Sequence, residues 1–135
     1  MKKIITLIFL IFLAKNVNSQ IGSKKSKIID DHKNYTLETT DDGTEYISFE
    51  VEYKNYTQSV ACYLTEKKEN KEQICYRVLM IEPKSETNNW IKWFNDKNFI
   101  KLNGLVWKDY GNATVYEIEV KEGSCLMTKY FDEKL

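Results

Sequence analysis

Strict alternation of apolar and polar residues over positions 45–53 is the feature that most constrains how this chain folds. Ile47, Phe49, Val51 and Tyr53 occupy every second position, and the residues between them include Glu50. A period of two indicates a β-strand, because successive side chains of a strand point to opposite faces of the sheet. The segment therefore predicts a strand with one buried and one solvated face.

Seven further segments predict strands, and they are separated by turn signals. Asp42-Gly43 and Asn103-Gly104 are typical of tight hairpins, because these pairs tolerate the positive φ that such turns require. Together with residues 45–53, the predicted strands cover residues 35–39, 59–65, 73–81, 99–102, 105–110, 114–120 and 125–131. Every connection within each group of four is short, which favours antiparallel pairing.

Two helices are predicted, one before each group of four strands. The first covers residues 24–32, with Ser23 placed to cap its free N–H groups. The second covers residues 86–96, after Pro83 has ended the preceding strand. Its aromatic residues recur at helical spacing and would pack on the sheet: Trp90, Trp93 and Phe94.

The order of elements predicts an α+β fold. We expect one twisted antiparallel sheet of six to eight strands with both helices on one face. The helix-plus-four-strand order occurs twice, so residues 21–82 and 85–131 form two predicted pseudo-repeats. Residues 20–135 are expected to be a single domain, since a chain of 135 residues has no room for two large ones.

The first 19 residues have the pattern of a secretory signal. Lys2 and Lys3 precede an apolar run at 4–14, and Val17 and Ser19 offer the modest side chains of a peptidase site. Eleven helical residues reach about half of a ~30 Å hydrocarbon core, so no membrane span is expected after the signal is removed. The chain is therefore predicted to be secreted or periplasmic, beginning at Gln20.

Composition and motifs disfavour several classes of function. The chain has 20 Lys+Arg against 20 Asp+Glu and lacks an arginine-rich stripe, which argues against a nucleic-acid partner. His32 follows Asp30 and Asp31, but adjacent helical residues diverge, and zinc sites need three or four converging ligands. No Gly-x-Ser-x-Gly turn is present. No metal, cofactor or catalytic residue is predicted.

The cysteines suggest one possible disulfide. If the turn of the third hairpin is centred between Lys68 and Glu69, Cys62 lies directly opposite Cys75, within disulfide range. A turn centred at Glu69-Asn70 would misalign the two residues. A bridge between Cys62 and Cys75 is the prediction, helped by an oxidising compartment, with Cys125 left as a buried thiol.

The solvated face of the sheet is the predicted binding surface. Tyrosines mixed with charges suit a wet protein–protein interface better than a small-molecule pocket. The predicted binding residues are Tyr46, Glu50, Glu52, Arg77, Lys108 and Tyr110. They indicate a non-enzymatic interaction module with an envelope or secreted protein as partner.

Two alternatives remain open at this point. Glu50 with Glu52, and Glu117 with Glu119, are paired acids that would serve a hydrolase if all four met in a cleft. A structural envelope protein without a defined ligand would instead present a featureless polar face.

Several short motifs resemble small exported bacterial proteins of unknown function. They are Asn18-Ser19-Gln20, Ile21-Gly22-Ser23-Lys24, Cys75-Tyr76 and Asn89-Trp90-Ile91, with Phe99 and Trp107 in the following hairpin. The paired helix-plus-meander order is also similar, at the level of the fold, to β-lactamase inhibitory proteins and to a small lipoprotein of the outer-membrane assembly machinery. These resemblances imply a protein-binding module outside the cytoplasm, and they transfer no functional residue.

Overall fold

The structure, a computed structural model, describes residues 21–132, so the predicted signal segment lies outside the described residues. Within them, helix α1 spans Lys25–Asp31 and helix α2 spans Thr87–Asp96, directly after a 3₁₀ turn at Lys84–Glu86. The strands are β1 (Thr36–Thr39), β2 (Glu45–Glu52), β3 (Thr57–Leu64), β4 (Cys75–Pro83), β5 (Ile100–Lys101), β6 (Val106–Asp109), β7 (Thr114–Lys121) and β8 (Ser124–Phe131).

All eight strands belong to one antiparallel sheet in the order β1-β2-β3-β4-β8-β7-β6-β5. Neighbours in the sheet are also neighbours in the chain, except at the centre, where β4 pairs with β8. The β4–β8 pairing, called here the seam, aligns seven residue pairs, from Arg77 opposite Tyr130 to Pro83 opposite Ser124. The predicted α+β class and the single antiparallel sheet are confirmed, with eight strands.

The core lies on one face of the sheet, as the alternation in β2 predicts. Ile47 and Phe49 are buried, whereas Glu50 and Glu52 are exposed. Strands β3, β4 and β6–β8 also contribute inward-facing residues to this buried cluster: Val60, Cys62, Val78, Met80, Met127, Ile118, Tyr116 and Trp107. Burial of this surface is the main favourable contribution to folding.

Both helices contribute side chains that contact this buried cluster. On α2, the Phe94 ring lies 5.0 Å from the ring of Trp107 and 5.0 Å from that of Tyr116, between centroids. On α1, Ile28 is fully buried, and the ring of His32 after the helix stacks on Phe49 at 3.6 Å.

The chain before α1 pairs with the start of β4. The amide of Gly22 donates to the carbonyl of Cys75 at 2.7 Å, and the amide of Cys75 donates to the carbonyl of Ser23 at 2.9 Å. Lys24, which is extended, holds the N-cap position of α1 without a side-chain bond, so the prediction of Ser23 as the cap is wrong. Gly22 has a φ of +79°, and a Cβ at this position would lie 3.3 Å from the ring of Phe131. The left-handed backbone and the close approach of the Phe131 ring both favour glycine here.

The cysteine prediction needs correction. Asn70 takes a positive φ of 65°, and Lys68 pairs with Lys71, so the β3–β4 turn is centred at Glu69-Asn70. Leu64 then faces Cys75 and Val78 faces Cys62, with a register shift beside Leu64. The direct opposition of Cys62 and Cys75 is wrong, and both are free buried thiols, so the predicted disulfide is not formed in this structure. The Cys75 thiol and burial both raise the pKa of Cys62, which makes it a poor nucleophile.

Substitution Phe94→Ala is expected to lower the free energy of unfolding by about 3–5 kcal/mol, because it leaves a cavity among buried rings. Urea denaturation measures this change. Lys92→Ala on the exposed side of α2 is the matched control and should change stability by less than about 0.5 kcal/mol. Equal, small effects of the two substitutions would show that α2 does not bury Phe94.

Candidate functional site

The sheet face opposite the buried cluster, called here the open face, carries the remaining alternate residues of the strands. Cross-strand pairing aligns one open-face residue from each strand into a continuous line across the sheet. This line, the central row, consists of Glu38, Tyr46, Tyr63, Arg77, Tyr130, Val115, Lys108 and Ile100. With strands about 4.8 Å apart, the central row extends about 34 Å.

Contacts hold the first half of the central row in place. The hydroxyl of Tyr46 donates to Glu38 Oε2 at 2.6 Å, and this bond raises the pKa of Tyr46. The rings of Tyr46 and Tyr63 lie 5.3 Å apart, and the Arg77 guanidinium carbon lies 5.9 Å from the centre of the Tyr63 ring. Aromatic and cation–π contacts of this kind restrict the conformations of these side chains.

The second half of the row is held by charged partners. The hydroxyl of Tyr130 donates to Glu117 Oε1 at 2.7 Å, and partial burial together with this bond raises the pKa of Tyr130 to about 12. Lys108 forms an ion pair with Asp132, which raises the pKa of the lysine. Its Nζ also lies 4.4 Å from the centre of the Tyr110 ring. Tyr110 is 61% exposed, so it is one of the most accessible aromatic residues of this surface.

The structure brings some of the predicted binding residues together and separates others. Tyr46, Arg77 and Lys108 share the central row, and Tyr110 joins it through Lys108. Glu50 lies four residues beyond Tyr46 on β2, about 13 Å along the strand. Glu52 lies further still and accepts a hydrogen bond from Thr57 at 2.9 Å.

Sequence analysis missed Tyr63 and Tyr130, which are central to the row. Both lie in correctly predicted strands, but assigning them to the open face requires the register of the β3–β4 and β4–β8 pairs. The alternation of β3, where Gln58, Val60, Cys62 and Leu64 are buried, is the signal that places Tyr63 on the opposite face.

The four candidate acids do not meet. Glu50 and Glu52 lie on β2, whereas Glu117 and Glu119 lie on β7, with β3, β4 and β8 between them. Four strand spacings separate the two pairs by about 19 Å along the sheet. This exceeds the ~5–10 Å between the two carboxyl groups of a glycosidase. Among residues 21–132, no three His, Cys, Asp or Glu side chains form a metal-binding group.

A second polar group, not expected from the sequence, lies on the buried face. Glu82 is 2% exposed and accepts hydrogen bonds from the Tyr56 hydroxyl at 2.9 Å, from Gln58 Nε2 at 3.0 Å, and from the indole N–H of Trp90. The carboxylate thereby connects β3 and β4 with the β2–β3 turn and α2. Burial raises the pKa of Glu82 despite these three bonds, because removing a carboxylate from water disfavours its charge.

Comparison of the chain with known proteins finds no matching family model, no similar curated protein and no similar solved structure. In the part of the chain that the structure describes, neither helix has the length and apolar character that crossing a membrane requires.

Substitution Glu82→Gln is expected to change how stability depends on pH. Because the folded-state pKa of Glu82 is raised above its usual 4.5, the stabilisation from its neutral form is full below that value and is lost as pH rises through the folded pKa. Glutamine cannot ionise, so the stability of the variant minus that of the wild type should increase across this window.

Urea denaturation at a series of pH values from 4 to 8 measures this difference. Subtracting the two stabilities removes the contributions of groups that the substitution does not affect. A difference that decreases with rising pH would mean that the three hydrogen bonds outweigh burial and that the pKa is lowered.

Proposed function

We propose that this chain is an exported, non-enzymatic interaction module that binds an envelope or secreted protein through its open face. The central row carries this proposal, because it presents three ordered tyrosines and two cations in one line. Tyrosine and arginine are enriched in protein–protein interfaces, and tyrosine provides a large contact area with few rotatable bonds.

The way in which the helices contact the sheet supports an accessible open face. Phe94 of α2, and His32 after α1, contact Tyr116 and Phe49, which both belong to the buried cluster. Both helices are therefore proposed to lie on the same side, opposite the central row. The sheet order is also consistent with two pseudo-repeats, since each half contributes four strands and the last strand of each, β4 or β8, lies at the centre.

The residues around the central row suit a wet interface. Leu79, Ile81 and Leu126 alternate with buried residues of β4 and β8, so they lie on the open face beside the row, and Ile81 is 37% exposed. Acidic residues lie further out, with Glu50 and Glu119 exposed on opposite sides of this apolar group. A partly apolar centre inside a charged rim is the usual arrangement of non-obligate interfaces.

Export rests on the signal pattern at residues 1–19, and a periplasmic or extracellular location is part of the proposal. A structural envelope role without a ligand is less well supported, because the open face has an ordered aromatic row in place of a featureless polar surface. The hydrolase alternative would need acids that converge, and three strands lie between the strands that carry Glu50 and Glu117.

Site-specific photo-cross-linking in the native envelope tests the proposal. A photoreactive phenylalanine at Tyr63, Arg77 or Lys108 should capture the same protein, because the three positions share one row. The same group at Tyr35, which is 37% exposed and outside the row, is the matched control and should not capture it.

The double substitution Tyr46→Ala and Tyr130→Ala should reduce the cross-linked product at Arg77 by about tenfold or more, as expected for loss of two interface aromatics. Circular dichroism checks that the variant folds. Capture of unrelated proteins at each position, or equal capture from Tyr35, would contradict a binding surface on the open face.

A further inference from the structure

The most exposed apolar side chains of residues 21–132 lie together at one edge of the sheet. Tyr110, Ile100 and Leu102 are 61%, 53% and 49% exposed, more than any other large hydrophobic residue in this range. All three belong to β5, β6 and the residues that join and follow them, called here the edge hairpin (residues 100–110). Single exposed apolar residues are ordinary, but a group of them in one hairpin indicates a contact surface.

The pairing of the edge hairpin brings these side chains together. Ile100 lies opposite Lys108, whose Nζ is 4.4 Å from the centre of the Tyr110 ring. The amide of Leu102 donates to a β6 carbonyl at 3.0 Å, so the chain is still paired there, and side chains two positions apart in a strand share a face. At the turn, a Cβ added to Gly104 would meet no atom within 4 Å. The tip of the hairpin therefore projects away from the rest of the protein.

The charges at this edge favour an anionic surface. Residues 97–108 include Lys97, Lys101 and Lys108 and no acidic residue. Lys108 forms the ion pair described above, whereas Lys97 and Lys101 form none within residues 21–132, and their ammonium groups lie 4.8 and 5.6 Å from the centres of tryptophan rings. The flanking acids are Asp96, which ends α2, and Asp109, which accepts hydrogen bonds from two amides of its own turn. Two unpaired cations thus lie beside the apolar side chains.

A bilayer surface fits this combination better than a second protein does. The edge hairpin alone is too small to supply the ~800 Å² that each side of a stable protein interface provides. Lysine stems can lie along apolar surface while their ammonium groups reach lipid phosphates, and tyrosine is typical of the membrane–water interface. The whole chain has 20 basic and 20 acidic residues, so its net charge supplies no attraction to anionic lipids. The local lysines would have to supply it.

We propose that the edge hairpin binds the surface of a bilayer that contains anionic phospholipids. Ile100 and Leu102 would insert at the boundary between headgroups and acyl chains, with Tyr110 at headgroup level. Lys97 and Lys101 would contact the lipid phosphates. Ile100 is the last residue of the central row, so the rest of the open face stays accessible, and this contact does not depend on the proposed protein partner.

Co-sedimentation of the protein with large unilamellar vesicles tests the proposal. We expect binding to equimolar phosphatidylcholine and phosphatidylserine to be about tenfold or more tighter than binding to phosphatidylcholine alone, because each lysine near an anionic surface adds to the attraction. High salt should reduce this preference by screening. The double substitution Lys97→Gln and Lys101→Gln should abolish it.

Leu102→Asn should weaken binding to the anionic vesicles about tenfold, because it removes an inserted apolar side chain. Leu37→Asn is the matched control, since Leu37 is 46% exposed on β1 at the opposite edge of the sheet, and it should bind like the wild type. Both sites are exposed, so both variants should fold, which circular dichroism checks. The apolar run at residues 4–14 is the same in every variant, so the differences isolate the hairpin.

Equal binding to the two kinds of vesicle, or equal losses from Leu102→Asn and Leu37→Asn, would overturn the proposal. An absence of binding to both kinds of vesicle would overturn it as well. If a photoreactive residue at position 102 then captured a protein, the edge hairpin would belong to a protein interface instead.

Discussion

Pairing between β4 and β8 is the interaction on which the rest of the structure depends. Without it, the chain would form two separate four-stranded meanders, each with a long unpaired edge at β4 or β8. The seam places Met80 opposite Met127 at the centre of the core and Arg77 opposite Tyr130 in the central row. It also moves the sheet edges to β1 and β5, which have only four and two residues. Short edge strands are a common protection against edge-to-edge association.

The seam also positions two ionisable residues on the buried face of the sheet. Glu82 and Lys129 lie on the buried face of the same strand pair, since Glu82 faces Cys125 and Lys129 faces Val78. The four residues from Cys125 to Lys129 correspond to about 13 Å along β8, so a buried acid and a buried base stand at opposite ends of the central strands. Glu82 is bonded to Tyr56, Gln58 and Trp90 and links α2 to the sheet. The Nζ of Lys129 lies 5.6 Å from the centre of the Tyr116 ring.

The elements of the fold could be predicted from the sequence because they depend on local signals. Alternation at residues 45–53, the Asn103-Gly104 turn and the aromatic spacing in α2 each reflect a period or a backbone preference within a few residues. Register could not be predicted in the same way. One residue in the left-handed conformation, Asn70, moved the β3–β4 turn and took Cys62 out of direct register with Cys75. The cap expected at Ser23 is wrong because pairing of residues 22–23 with Cys75 places Lys24 at the N-cap position.

The residues of the candidate site show the same difference between local signals and strand register. Tyr46, Arg77 and Lys108 could be placed on one face by alternation, but their alignment with Tyr63 and Tyr130 depends on pairings between distant segments. Glu82 and Lys129 break the apolar pattern of the buried face. Such a break can be recognised in a sequence only once the inward positions of the strand are known. The contacts of these residues, with Trp90 for Glu82 and with the Tyr116 ring for Lys129, are tertiary features.

Nuclear Overhauser effects between backbone protons of β4 and β8 test the central seam most directly. The structure predicts cross-strand contacts between Leu79 and Thr128 and between Ile81 and Leu126, together with amides in both strands that exchange with solvent as slowly as global unfolding allows. Absence of these contacts, with β4 amides exchanging as fast as those of an exposed edge, would show two independent meanders and would contradict the single sheet.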